Sequence, residues 1–358
     1  MAARPRVAVM CFSDNNGGME LDTIKLARLL DDSCEVTLLC KQDSFIHKRM
    51  AEADDIDHVA VRFSSRTFSP AMLFKVRRVL KQKQLNNVVF FGASELKTLY
   101  FSFLGLDVNV AVRHGTTKSH RKHGPLHRLI YSCVGHHVAL SKHLLRNVQY
   151  IMPPGGRADY RIIYPSFDLH GSGQQSAIDG PVRLVHVGRM AEGKGQVDAV
   201  RACAQLFQDG IDFRLDLLGA LGDDDYSRTL KREVESCGYS ENIVLPGFVD
   251  DTPAFLRESD IFLFPSAGEG MPNAYIEALH HGLVCISYDN TVFPEFQEMG
   301  FYVRLVKDGN LQALSETLFD VVKSLDGEKQ RAAGNAALAS QYFQAGRELA
   351  DWHALFIS

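Results

Sequence analysis

Apolar and polar positions alternate along this chain in two repeating series. Short, continuous apolar runs occur at 7–12, 34–40, 58–62, 87–91, 108–112 and 135–141. Runs of that length bounded by polar turns read as strands buried on both faces. Between them, Leu21, Ile24, Ala27 and Leu30 recur at helical spacing, as do the apolar residues of 72–80. A short extended piece is expected at 162–165. The second series has strand-like runs at 183–187, 213–218, 242–245, 260–264, 283–288 and 301–303, and helical stretches at 196–208, 226–237, 252–257 and 273–281. Strands alternating with helices predict parallel sheets covered on both faces. The tail from Gly334 to Ile357 is helical with an interruption near 344–346, and Trp352 and Phe356, four apart, should share a face.

Between the two series, residues 168–181 hold three glycines, two serines and two glutamines and few apolar side chains. This composition predicts a linker. The expected organisation is an N-terminal domain over 1–165, a linker over 166–181, a second domain over 182–340, and a C-terminal helix over 341–358 that packs back on the first domain.

Composition narrows the class. Of 358 residues, 46% are hydrophobic and 23% charged, as in soluble globular proteins. No apolar run approaches the roughly 20 residues that span a bilayer, and the start Met-Ala-Ala-Arg-Pro-Arg carries no signal-cleavage pattern. A cytoplasmic protein is expected. The seven cysteines contain no CxxC pair, which favours buried thiols over a zinc site or a disulfide framework.

Charge is distributed unevenly. The net charge is −4, yet residues 66–161 hold 16 Lys/Arg against three acids, together with seven of the 14 histidines. Such a surplus predicts an anionic partner. Lys75, Arg77, Arg78, Lys81 and Lys83, on one helical stretch, could face an anionic membrane leaflet, which would place the protein peripherally on the cytoplasmic side of the inner membrane.

Candidate chemistry sits after strands of the second series, where open α/β sheets bind ligands. The strand at 183–187 is followed by Gly188-Arg189-Met190-Ala191-Glu192-Gly193-Lys194-Gly195. This glycine-rich turn carries two cations and lacks the Gly-x4-Gly-Lys-Ser/Thr of a P-loop. The strand ending at Phe264 is followed by Pro265-Ser266-Ala267-Gly268-Glu269-Gly270-Met271-Pro272-Asn273, with Glu277 one turn into the next helix. Loop amides and a helix N-terminus there form an anion cradle between two carboxylates. No Gly-x-Gly-x-x-Gly follows the first strand, which argues against a dinucleotide oxidoreductase.

Gly188-Arg189, Lys194 and the Glu269-x7-Glu277 element together resemble the donor site of glycosyltransferase family 4. Gly17-Gly18 resembles that family's N-terminal glycine loop and Val112-Arg113-His114-Gly115 the strand end with its acceptor-side histidine. Ala139-Leu140-Ser141 and Tyr164-Pro165-Ser166-Phe167-Asp168 are similar to two further family strands, with Lys142 and Ser166 departing from the usual residues. The resemblance covers nearly the whole chain. It implies a GT-B fold of two facing Rossmann-like α/β domains with a deep cleft, and metal-independent, configuration-retaining transfer of a hexose-type sugar. The donor would be a nucleotide-diphosphate sugar, a UDP-sugar first among them. The acceptor would be a lipid-linked or lipopolysaccharide-core glycan, with no further cofactor and no nucleic acid.

The resemblance also implies roles. Arg189 and Lys194 would neutralise the diphosphate, Glu269 would hold sugar hydroxyls, Glu277 the ribose, and His114 would act toward the acceptor. Gly17, Gly18, Gly188, Gly270, Met271 and Asn273 would line the donor, and Phe248 and Val249 would lie against the base. Glu295, after Phe293-Pro294, looks like a loop residue of the family near the ligand. A sugar-nucleotide epimerase, or a non-catalytic sugar-nucleotide-binding protein of the same fold, is the alternative; the epimerase would require further acids and histidines that the sequence does not supply.

Overall fold

The computed structural model describes residues 4–53, 55–65, 67–92, 94–153, 157–167 and 180–357. Most of the expected linker, Asp168 and the Pro154-Gly155-Gly156 loop lie outside these residues. The chain divides into two compact units, one of Met1–Pro165 with Ala345–Ser358, the other of Ser166–Gln344.

The first unit is built on a seven-stranded sheet in the order β3-β2-β1-β4-β5-β6-β7, every neighbouring pair parallel. The strands are β1 (Arg6–Cys11), β2 (Glu35–Lys41), β3 (His58–Val61), β4 (Asn87–Phe91), β5 (Asn109–His114), β6 (His136–Ala139) and β7 (Asp159–Ile162). Its helices are α1 (Gly18–Asp31), α2 (Phe45–Ala53), α3 (Pro70–Gln82), α4 (Leu96–Phe103), α5 (Pro125–Tyr131) and α6 (Lys142–Ile151). Side chains alternate across β1, so its two faces build two cores. Ala8 and Met10 pack with Met72, Val76, Leu99, Ile130 and Val148 of α3–α6. Val7, Val9 and Cys11 pack with Ile24, Leu30, Ile46 and Trp352. Trp352 belongs to α16 (Ala345–Ile357), so that helix shares a layer with α1 and α2. Its indole is fully buried and stacks on Phe356, ring centroids 6.0 Å apart.

The second unit has a six-stranded parallel sheet in the order β10-β9-β8-β11-β12-β13. Its strands are β8 (Val182–Val187), β9 (Phe213–Leu218), β10 (Ile243–Gly247), β11 (Ile261–Phe264), β12 (Val284–Asp289) and β13 (Arg304–Lys307). The helices are α7 (Gln196–Ala202), α8 (Ala204–Gln208), α9 (Asp225–Ser236), α10 (Thr252–Arg257), α11 (Asn273–His280), α12 (Phe293–Glu298), α13 (Leu311–Lys323), α14 (Leu325–Ala332) and α15 (Asn335–Tyr342). One face packs Leu184, Leu215, Leu217 and Leu263 against α7, α8, α9 and α13. The opposite face is aromatic: Phe262 and Phe264 meet Tyr275 of α11, which in turn meets Phe293 and Phe296 of α12.

Three expectations need correction. The apolar run at 301–303 is no strand; β13 starts at Arg304, in register with Ile286. The backbone of Tyr302 is held by the Asn335 side chain, whose Oδ1 accepts from its N–H and whose Nδ2 donates to its carbonyl, both at 2.8 Å, so it has no ladder to join. The extended piece expected at 162–165 ends at Ile162, and β7 begins earlier, at Asp159. Finally, the helix expected over 196–208 is two, α7 and α8, meeting at Cys203.

Candidate functional site

In each sheet the strand order reverses beside the first strand of the unit: between β1 and β4, and between β8 and β11. Ligands of open α/β folds bind outside the carboxyl ends of the strands at such a point. In the second unit, β8 runs into the Gly188–Gly195 turn and β11 into the Pro265–Pro272 loop. The residues singled out by spacing therefore straddle the switch point.

The structure brings these two segments together through hydrogen bonds. Gly193 accepts from Ala267 N at 2.8 Å and lies 3.0 Å from Ser266 Oγ. Gly195, the left-handed cap of α7 (φ +83°), permits the approach: a Cβ there would stand 2.1 Å from the Pro265 carbonyl oxygen. Gly219, after β9, similarly clears the Gly188 carbonyl, which a Cβ would meet at 2.1 Å.

The chemical groups follow from that packing. Lys194 Nζ donates to Glu269 Oε1 at 2.6 Å, and Ser266 Oγ lies 2.9 Å from the same oxygen. The Glu269 backbone N–H donates to Thr291 Oγ1 at 3.0 Å, and Thr291 Oγ1 donates to Asn290 Oδ1. Asn290 in turn donates to the Ser266 carbonyl at 3.0 Å. Glu269 is thus fixed at main chain and side chain by the loops after β8, β11 and β12. Thr291 reaches it from the left-handed region (φ 44°), an unfavourable conformation for a β-branched residue. Beneath the turn, fully buried His186 donates from Nε2 to the Lys194 carbonyl at 2.8 Å. Burial pushes its pKa down to about 4, so the ring is neutral and its Nδ1 carries no proton.

Arg189 is solvent-exposed, and its carbonyl accepts from Gln196 Nε2 at 3.0 Å. Gly270 is half-buried, Met271 is buried and Asn273 is exposed at the start of α11. Glu277, half-buried, follows one turn later. Phe248 and Val249 come directly after β10, and the Phe248 ring is 74% exposed. Glu295 is buried in the first turn of α12. The arrangement offers a cation–carboxylate pair, an exposed guanidinium, backbone amides at two helix starts and an exposed aromatic face. It suits a ligand with an anionic centre, hydroxyls and a ring.

The first unit carries the other candidates. Gly17 caps α1 and Gly18 begins it, after β1; the buried Glu20 carboxylate accepts from Gly17 N at 3.0 Å. His114 ends β5 and is buried, 3% exposed, with Nε2 3.0 Å from His137 Nδ1. Burial, then His137, Lys118 and Lys122, hold its pKa well below the usual imidazole range, and burial takes His137 down to about 4. Both rings are therefore neutral at pH 7.

The sequence reading missed Ser266, Thr291, His186, Gly195 and Gly219. Their roles depend on which loops become neighbours, and only Ser266, inside the quoted loop, stood close enough to its partner to be suspected.

Part of the chain is similar to a known family. Residues 172–339 match the family "Glycosyl transferases group 1". A putative colanic acid biosynthesis glycosyltransferase, WcaL of Salmonella typhimurium, is 34% identical over 146 residues, 38% of this chain and 35% of that protein. The matched stretch thus spans little more than a third of that relative. Among solved structures, a glycosyltransferase from Rickettsia africae superposes with a TM-score of 0.84 at 15% identity, covering 99% of this chain and 98% of the other. HepE of Anabaena, solved in complex with UDP, gives 0.81 at 18% identity, covering 98% of each. Residues 172–339 are therefore similar to a group 1 glycosyltransferase domain, within a chain of the two-Rossmann-domain GT-B fold.

Proposed function

We propose that this protein is a configuration-retaining, metal-independent glycosyltransferase. It moves a hexose-type sugar from a nucleotide-diphosphate sugar, a UDP-sugar first among them, to a hydroxyl of a lipid-linked or lipopolysaccharide-core glycan. The observation that carries the reading is the Lys194–Glu269 pair at the switch point between β8 and β11, flanked by Arg189 and the start of α11. The UDP held by the fold neighbour and the polysaccharide named for the curated relative support the choice of donor and acceptor.

The chemistry follows from charge. The bond from the anomeric carbon to the diphosphate oxygen breaks with its electron pair going to the diphosphate. The acceptor oxygen attacks from the same face, and its proton passes to the departing phosphate. Negative charge grows on the leaving oxygens, where Arg189, Lys194 and the amides around Gly270 and Asn273 face it without reorganising. Glu269, locked by Ser266 and Thr291, accepts hydrogen bonds from the sugar's hydroxyls. Glu277 takes the ribose, Phe248 and Val249 the base, and Gly17, Gly18 and Gly188 allow close backbone approach. His114, neutral, serves the acceptor side.

A screen of nucleotide sugars that follows release of UDP, GDP or ADP tests this reading. Lys194→Ala and Glu269→Ala should each lower turnover by about 100-fold or more while the fold persists, and activity should survive EDTA. Normal turnover by folded Lys194→Ala would remove the assignment of the diphosphate.

A further inference from the structure

Helices α3, α4 and α5 cover one face of the first sheet and turn an unusual surface outward. Phe68, Phe74, Phe101, Leu104, Leu126 and Leu129 are all exposed there, Phe74 at 69%. The helices that carry them adjoin one another. The Ser69 N–H donates to Thr98 Oγ1 at 3.1 Å, and Arg77 Nη1 donates to the Ser102 carbonyl at 3.0 Å, so α3 and α4 lie side by side in parallel. The Phe68 and Phe101 rings are 6.2 Å apart between centroids, and α4 packs beside α5. Exposed large apolar side chains gathered on adjoining helices mark an interaction site.

The structure also sorts the basic stretch. Arg113 is buried against Asp22 and Glu348. Arg77 serves the end of α4, and Lys83 pairs with Asp57. Two of the five cations expected on the α3 face are therefore used internally. Lys75, Arg78 and Lys81 remain exposed on α3, with Arg121 and Arg128 around α5. Of the three acids in this stretch, Glu95 is buried. Aromatic and leucine side chains accompanied by exposed cations fit the boundary of an anionic bilayer: rings enter at headgroup depth while cations meet lipid phosphates. A protein groove would have to bring a matching acidic rim. Nucleic acid would leave the leucines without a partner.

We propose that the α3–α4–α5 face of the first unit docks on an anionic membrane leaflet, with Phe74, Phe101, Leu126 and Leu129 inserted and Lys75, Arg78 and Lys81 on the lipid phosphates. This goes beyond glycosyl transfer and does not rest on it, because vesicle binding is read without turnover. The test is co-sedimentation of the full chain with phosphatidylcholine vesicles and with phosphatidylcholine–phosphatidylglycerol vesicles, at low and high salt. The expected result is binding to the anionic vesicles alone, weakened by salt. Lys75→Glu/Arg78→Glu should lower the partition by about tenfold or more. Phe74→Ser/Phe101→Ser should lower it comparably with the salt dependence kept. Both variants substitute exposed side chains, and an unchanged melting temperature verifies their fold. Absence of binding to anionic vesicles at low salt overturns the proposal, as does undiminished binding by the Phe variant. Tight binding of a single-stranded oligonucleotide that the same charge reversal abolishes, without vesicle binding, would assign the face to nucleic acid instead.

Discussion

Glu269 shows how much of this site is supplied by side chains other than those that meet the donor in the proposed reaction. Its carboxylate is touched by Lys194 and Ser266, and its amide is held by Thr291. The unfavourable backbone of Thr291 costs on the order of 1–3 kcal/mol, a cost borne by a residue whose hydroxyl fixes that amide. Thr291→Ala and Ser266→Ala should each lower kcat about tenfold, the worth of one hydrogen bond to a charged or buried group. Affinity for UDP should stay near that of the parent protein, and Thr291→Ser should recover most of the rate. Steady-state kinetics with calorimetric UDP binding checks this; an unchanged kcat in both variants would remove the positioning role. The buried histidines make a second prediction. His137, His186 and His281 have folded pKa values of about 4, each lowered first by burial, against an ordinary 6.5. Between these limits the unfolded chain binds more protons than the folded one. Stability is therefore full above about pH 6.5 and falls as pH drops toward 4, by up to about 1.4 kcal/mol per unit for each such group. Urea melts from pH 7.5 to pH 5 should show the decline, and His137→Gln should flatten it.

The elements were legible in the sequence to very different degrees. Strands buried on both faces write continuous apolar runs, and twelve runs found eleven of the thirteen strands among the described residues close to their positions. The run at 301–303 failed because burial alone does not make a strand: Phe301 packs on Phe296 and Phe343, while Asn335 takes the backbone of Tyr302. β7, with its pattern of half-buried and exposed residues, lacks the apolar run that would have announced it. The candidate site was legible wherever its residues follow a single strand closely, as Glu269 in the loop and Glu277 in the helix after β11 do, and as Arg189 and Lys194 do after β8. It was not legible where one loop must clear another. Gly195 is such a case, and Gly195→Ala should push the Gly188–Gly195 turn off Pro265 and separate Lys194 from Glu269. Turnover should fall at least about tenfold, with far-ultraviolet circular dichroism intact. Full activity would mean that the two loops can move apart without consequence.

In the molecule as a whole, α16 is the element most distant in sequence from the layer it completes. Trp352 fills the core beside β1 and α1, and Arg113 joins Asp22 of α1 to Glu348 of α16 at 2.9 and 3.1 Å. Burial raises the pKa of Asp22 against the opposing pull of Arg113, and the same guanidinium bonds Glu348. Arg113→Met would remove the guanidinium that bonds both carboxylates. Destabilisation of about 3–5 kcal/mol is expected, measurable as a lower urea midpoint, whereas Arg113→Lys should lose part of that. The spacing of Trp352 and Phe356 announced an apolar face for the tail; the Arg113 cluster, assembled from three distant segments, left no such trace. One consequence concerns synthesis. The first unit is interrupted by the whole of the second, so a ribosome finishes Ser166–Gln344 before it makes the helix that closes the earlier unit. Until then the slot for Trp352 stands open and the Arg113 side chain lacks one of its carboxylates. Nascent chains halted before Ala345 should therefore hold a protease-resistant second unit beside a first unit that chaperones still recognise.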